Sequence, residues 1–189
     1  MVSTITSGYN RKCKDSQGGV DEIYLFPYVN YSRSQIVTDE NILVTFPNTT
    51  IYKFYSNGNP NANETQETDG GGKYFNQSLP LDLQYSGNPF DLEKLLKKDY
   101  RIIFRDRNGY YRIFGLYIGL EATNLNYNTG SSKSDFNGFK IDFSGKEEKQ
   151  SFFINDLESA GFFIDELDYR ILESGEYRIT ENNEFRILQ

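Results

Sequence analysis

Histidine and tryptophan are absent from the 189-residue chain, and cysteine and methionine occur once each. Without His there is no ordinary general base near neutrality, no imidazole metal ligand and no His-dependent triad. The single Cys13 excludes an internal disulfide and a multi-cysteine zinc site. No run of apolar residues is long enough for a membrane-spanning helix, so no membrane partner is expected. The opening residues Met1–Gly8 lack the apolar centre of a signal peptide, and an intracellularly made, unprocessed protein is expected from them. Hydrophobic residues make up only 37% of the chain, yet Tyr and Phe number 15 each. Rings that each bury about 150–250 Å² are what a disordered chain lacks, so a folded domain is expected. The net charge of −7 disfavours a nonspecific grip on nucleic-acid phosphates.

Short alternating, aromatic-rich runs separated by Asn, Gly and Asp recur along the chain and predict an all-β sandwich or barrel. Strands are expected at Glu22–Tyr31, with Pro27 marking an edge or bulge, and at Asn41–Phe46, Ile51–Tyr55, Lys73–Leu83 and Tyr100–Arg105. Further strands are expected at Tyr110–Leu120, Gly138–Ser144 and Ser151–Ile154. One short helix is expected, with Asp91 as N-cap, Leu92, Leu95 and Leu96 on one face, and Lys97 and Lys98 at its negative end. Asp106-Arg107-Asn108-Gly109 predicts a hairpin with a two-residue type I′ turn. That turn sets Phe104 opposite Ile113, Ile103 opposite Phe114 and Tyr100 opposite Tyr117, with both faces apolar and the hairpin central.

Two stretches resist either pattern. Residues 56–72 contain Asn57-Gly58-Asn59-Pro60-Asn61, the acids Glu64, Glu67 and Asp69, and the Gly70-Gly71-Gly72 hinge, without a basic residue. Residues 121–137 are rich in Asn, Ser and Thr. Both are expected to be long loops, the second an arm that orders against a partner.

The chain divides into a β domain over 1–168 and a repeated ribbon over 169–189. The ribbon carries Tyr169-Arg170-Ile171-Leu172, Tyr177-Arg178-Ile179-Thr180 and Phe185-Arg186-Ile187-Leu188. In a strand each aromatic shares a face with its Ile while the Arg points away. A three-residue loop Glu173-Ser174-Gly175 makes Ile171 face Tyr177, and Glu181-Asn182-Asn183 does the same for Ile179 and Phe185. Arg170, Arg178 and Arg186 then form a row. A thin ribbon is marginal alone, so its apolar face is expected on the main domain or a neighbouring subunit. A solvated tail or stacked solenoid coils are the other readings.

The constellations that usually carry chemistry fail one by one. Gly70-Gly71-Gly72-Lys73 lacks the Ser or Thr and the helix of a phosphate loop. Asp106-Arg107-Asn108-Gly109 lacks the ligand positions of a calcium loop. Cys13 is flanked by Arg11, Lys12 and Lys14 but has no partner base. The Asn-x-Ser/Thr matches at Asn48, Asn63 and Asn76 read as chance in a chain with 18 Asn. No catalytic residue, cofactor or metal is expected.

Two stretches carry a resemblance. Tyr9-Asn10-Arg11-Lys12-Cys13-Lys14-Asp15-Ser16-Gln17-Gly18-Gly19-Val20-Asp21-Glu22-Ile23-Tyr24-Leu25 resembles the opening of virion structural proteins from tailed phages of Bacteroidetes, including crAss-like phages. Tyr100–Phe153 is similar to the tail-tube-like half of such proteins. There an Asn-Gly hairpin precedes Gly119-Leu120-Glu121-Ala122, a Thr129-Gly130 turn, Asp135-Phe136-Asn137-Gly138-Phe139 and Ile141-Asp142-Phe143-Ser144-Gly145-Lys146-Glu147. The resemblance implies a tail-tube-like β-sandwich or barrel that self-assembles into a homo-oligomeric ring in a tail, neck or tube. Its partners would be other tail, neck or portal proteins, and viral DNA would pass through without specific binding. Residues 56–72 would contact the next ring, and the ribbon departs from a minimal tube subunit. The expected assembly residues are Asn57, Asn59, Asn61, Glu64, Glu67 and Asp69, with Tyr169, Arg170, Tyr177, Arg178, Phe185 and Arg186 in the ribbon. The expected location is the virion. A carbohydrate- or receptor-binding β-sandwich is the alternative that surplus Tyr and Asn suggest, and a His-free hydrolase using two carboxylates is the third reading.

Overall fold

The computed structural model describes residues 17–84, 95–132, 134–165, 170–171 and 177–178. The fold is all-β. Twelve strands form its body: β1 (Val20–Pro27), β2 (Val37–Asp39), β3 (Ile42–Thr45), β4 (Thr49–Phe54), β5 (Asn63–Asp69), β6 (Gly72–Gln84), β7 (Tyr100–Asp106), β8 (Tyr111–Phe114), β9 (Glu121–Asn128), β10 (Gly138–Glu147), β11 (Phe152–Ile154) and β12 (Phe162–Asp165). A short helix, α1 (Leu157–Ala160), precedes β12, and β13 (Arg170–Ile171) and β14 (Tyr177–Arg178) make a separate two-stranded ribbon.

An eight-stranded sheet runs in the order β12-β4-β1-β7-β8-β11-β3-β2, and a four-stranded sheet in the order β5-β6-β10-β9. The alternation in β1 and β7 puts them between two cores. Tyr24, Phe26 and Ile103 enter one core, whereas Ile23, Leu25, Ile102 and Phe104 enter the other. The large sheet curls round the first core: Phe162 of β12 stacks on Phe46, just past β3, with ring centroids 5.0 Å apart. Five strands separate β12 from β3 in the sheet order, so that contact nearly closes a barrel. The Phe46 amide donates to the Ala160 carbonyl at 2.8 Å across the same seam. Leu79 and Leu81 of β6 and Ile141 and Phe143 of β10 close the second core from the small sheet. β6 crosses the large sheet: Gln77 meets Gly115 beyond β8, and Asp82 meets Ser56 beyond β4.

The β7–β8 hairpin is central and apolar on both faces, as the sequence predicts, but its register differs by one residue. Ile102 pairs with Phe114, Ile103 with Ile113 and Phe104 with Arg112. Gly109 has φ 88° while Asn108 has a negative φ, which excludes the type I′ turn. The loop is instead the three residues Arg107-Asn108-Gly109, closed by the Asp106 amide donating to the Tyr110 carbonyl at 2.9 Å. The Asp106 carboxylate fixes it by accepting from the amides of Asn108 and Tyr110, each at 2.9 Å. β8 stops at Phe114, short of the strand expected to Leu120, and Tyr100 pairs with Leu120 in place of Tyr117.

Both segments expected as loops contain edge strands of the small sheet. Asn63–Asp69 is β5 and Glu121–Asn128 is β9. Their polarity hid them, because an edge strand with a solvated face needs few apolar residues. Leu95 is buried and Leu96 exposed, so these two do not share the expected face; Asp91 and Leu92 lie outside the described residues. Cys13 lies outside them too.

Candidate assembly surfaces

Glu64 sits at the base of the β5–β6 hairpin. It accepts from Gln77 Nε2 at 2.7 Å, from the Ser151 amide at 2.7 Å and from Ser151 Oγ at 3.0 Å. These bonds join the small sheet to β11. Glu64 is thus a structural carboxylate between sheets rather than a free contact group. From Thr65 to Lys73 every residue is exposed, so the distal half of the hairpin projects as an arm. Glu67 there accepts from the Tyr74 hydroxyl at 2.6 Å, and Lys146 lies 4.6 Å from the Tyr74 ring centroid. The Tyr74 and Asn76 hydrogen bonds hold the Glu67 carboxyl below its ordinary range. Asp69 accepts from the Gly70 amide at 2.7 Å and shapes the tip.

The other expected residues are dispersed. Asn57 is exposed, and its amide donates to the Asp82 carbonyl at 2.6 Å. Asn59 accepts from Arg107, tying this segment to the β7–β8 turn, and Asn61 is exposed. In the ribbon, Arg170 pairs with Arg178 and Ile171 with Tyr177, the register that the three-residue loop requires. Tyr169, Phe185 and Arg186 lie outside the described residues.

The small sheet is antiparallel throughout, and among the described residues no strand pairs with the outer edges of β5 and β9. The face turned away from the second core is polar. Glu67, Tyr74, Asn76, Asp82, Asn124, Asn126, Lys140, Asp142, Ser144 and Lys146 alternate with the core-facing residues.

A second group of residues, unforeseen from sequence, rigidifies the loop between β8 and β9. Arg101 is 1% exposed; its Nε donates to the Leu116 carbonyl at 3.0 Å and its Nη2 to the Val29 carbonyl at 2.9 Å. Its guanidinium lies 4.2 Å from the Tyr28 ring centroid, and among the described residues Nη1 has no hydrogen-bond partner. Glu147, 2% exposed, accepts from the amides of Tyr117, Ile118 and Gly119 at 2.8–3.3 Å. Burial raises its pKa, partly offset by those amides and by the charge of Arg101. The sequence signal was the placing of each charged residue on a strand at the inward parity, Arg101 two before Ile103 and Glu147 four after Phe143.

A polar network lies at the first core near the start of β1. Glu22 accepts from Lys53 Nζ at 2.7 Å, Tyr24 at 3.1 Å and Tyr111 at 3.3 Å. Burial alone would raise the Glu22 carboxyl, but the hydrogen bond and charge of Lys53 more than offset it and hold it below its ordinary range. Every oxygen of this carboxylate is engaged within the fold. Among the described residues no group of His, Cys, Asp and Glu is arranged to hold a metal ion. No family model, curated protein or solved structure matches the chain.

Proposed function

We propose that this chain is a structural subunit of a tailed-phage tail or neck ring, built by self-assembly and forming part of the conduit for DNA ejection. The observation that supports it best is the pair of open edges on the small sheet. β5 and β9 run in opposite senses, since three antiparallel steps separate them. Adding β5 of one copy to β9 of the next therefore continues the antiparallel alternation without reversing any subunit. Such a contact is heterologous, and it repeats until the rotation closes a ring. Unpaired edges otherwise template uncontrolled pairing, so a defined partner removes that liability.

The polar outer face of the sheet and the net charge of −7 suit a wall past which DNA slides without being held. The projecting Thr65–Lys73 arm suits contact with an adjoining ring or with other tail, neck or portal proteins. The reading places the protein in the virion and gives it no enzymatic step. Negative-stain microscopy of the concentrated purified protein tests it: rings or short tubes are expected. A protein that stays monomeric at high concentration overturns it.

A further inference from the structure

Asn57, Asn108 and Asn137 each precede a glycine. Glycine has no Cβ to shield its peptide nitrogen, so that nitrogen can reach the side-chain carbonyl carbon of the asparagine before it. The fold treats the three places differently. Asn108 is tied at both side-chain atoms: Oδ1 accepts from the Gln17 amide at 3.0 Å and Nδ2 donates to the Gln17 carbonyl at 3.1 Å. The Gly109 amide donates to the Asp106 carbonyl at 2.9 Å, so the nitrogen there is committed as well. Gly138 is buried in the ladder between Gln84 and Asn128, and its backbone is so enclosed that a Cβ would overlap the Leu83 carbonyl. Asn57 and Gly58 are both exposed, with open space where a Gly58 Cβ would stand. Among the described residues neither the Asn57 side chain nor the Gly58 amide makes a hydrogen bond. Their neighbours are tied, since the Asn57 amide donates to the Asp82 carbonyl and Asn59 accepts from Arg107. Gly58 is the untied link between them. Asn59 itself precedes Pro60, whose nitrogen has no proton to lose, so the same chemistry is closed to it.

We propose that Asn57 is a site of spontaneous deamidation, from which the fold protects Asn108 and Asn137. The Gly58 nitrogen gives up its proton to hydroxide and attacks Asn57 Cγ. The new C–N bond closes a succinimide ring, and Nδ2 leaves as ammonia with a proton taken from water. A second water then opens the ring, at Cγ to give an aspartyl residue or at the backbone carbonyl to give an isoaspartyl link. Water is the only co-reactant, and nothing is oxidised or reduced. Either product adds a negative charge to a chain already at −7, in a segment expected to take part in assembly. The inference stands apart from the ring reading, since it needs no second copy.

The test holds the full chain in dilute solution at mildly alkaline pH and follows it over time by digestion and mass spectrometry. A gain of about 1 Da, an amide exchanged for a carboxyl, marks conversion in each peptide. The Asn57 peptide is expected to convert about tenfold faster than those holding Asn108 and Asn137, because the latter two must first open locally. In urea the three rates should converge, since the protection comes from the fold and not from the dipeptide. Asn57→Gln, whose longer side chain closes the ring poorly, should remove most of the acidic form resolved by ion exchange, with an unchanged circular dichroism spectrum. Equal rates at the three sites of the folded chain would overturn the proposal, as would earlier conversion at Asn108 or Asn137. Rates that stay apart in urea, or an acidic form as abundant in Asn57→Gln, would overturn it as well.

Discussion

Arg101 and Glu147 hold one loop from two sides: the guanidinium takes the carbonyl of Leu116, and the carboxylate takes the amides of the next three residues. Burying two charged side chains to fix a loop carries a desolvation cost, which the bonds from Arg101 Nε and Nη2 and those to the Glu147 carboxylate offset, although Arg101 Nη1 makes none among the described residues. The loop at Tyr117–Gly119 is consequently a rigid part of the fold, and several measurable consequences depend on it.

Arg101→Lys is expected to destabilise the protein more than Arg101→Met. The lysine keeps a buried charge but loses the planar fork that reaches both Leu116 and Val29, a loss of about 2 kcal/mol or more. The methionine fills the aromatic pocket without a charge to desolvate. Urea unfolding midpoints of the two variants check the order.

Glu147→Gln turns part of an acceptor into a donor facing three amides, and a loss of about 1–3 kcal/mol is expected.

The pH dependence separates Glu147 from Glu22. Glu22 has a folded pKa below its ordinary value, so its stabilisation is present above the ordinary carboxylate range and lost as pH falls through the folded value. Glu147 has a raised folded pKa, so its contribution is full below that range and declines as pH rises through the folded value. Between about pH 3 and pH 6 the stability gap between wild type and Glu22→Gln should widen, and that for Glu147→Gln should narrow. Unfolding curves at several pH values decide; parallel slopes for the two variants would refute this assignment.

Gly161→Ala should cost more than about 1 kcal/mol. Gly161 ends α1 with φ 101°, and an added Cβ would run into the Phe46 carbonyl at the seam of the curled sheet. Thermal unfolding measures the loss.

Replacing Glu67–Tyr74 by Asn-Gly keeps the Gln66–Phe75 pair and removes only the exposed end of the arm. The domain should keep its β circular dichroism and its thermal transition, while the stacking of rings into tubes falls away and single rings persist. Unimpaired tubes in this variant would free the arm of any part in assembly.

What could be read in advance follows from what each strand buries. Strands with a regular apolar alternation, such as β1, β7 and β10, are legible because their side chains enter a core. β5, with Asn63-Glu64-Thr65-Gln66-Glu67, is not, because its inward side holds Glu64 against Gln77 rather than an apolar residue. The hairpin register is not legible from Asn-Gly alone, because that dipeptide also fits a three-residue loop, and the Asp106 carboxylate decides between them. The ribbon register was legible because the spacing of its repeat allows only one loop length that opposes Ile171 to Tyr177. The surroundings of the residues expected to assemble were only partly legible. Exposure at Glu67 and Asp69 follows from composition, whereas the bonds that commit Glu64 to the fold join segments distant in sequence.

The stacking of Phe46 on Phe162 also sets an order of events during synthesis. Until Phe162 has left the ribosome, the curled sheet lacks its last strand, and Phe26 and Phe46, which meet each other edge-on, lack the later ring that packs against both. A nascent chain that has made β1 to β11 thus carries a greasy cleft open to its neighbours on the same polysome, the period in which aggregation or chaperone capture competes with completion.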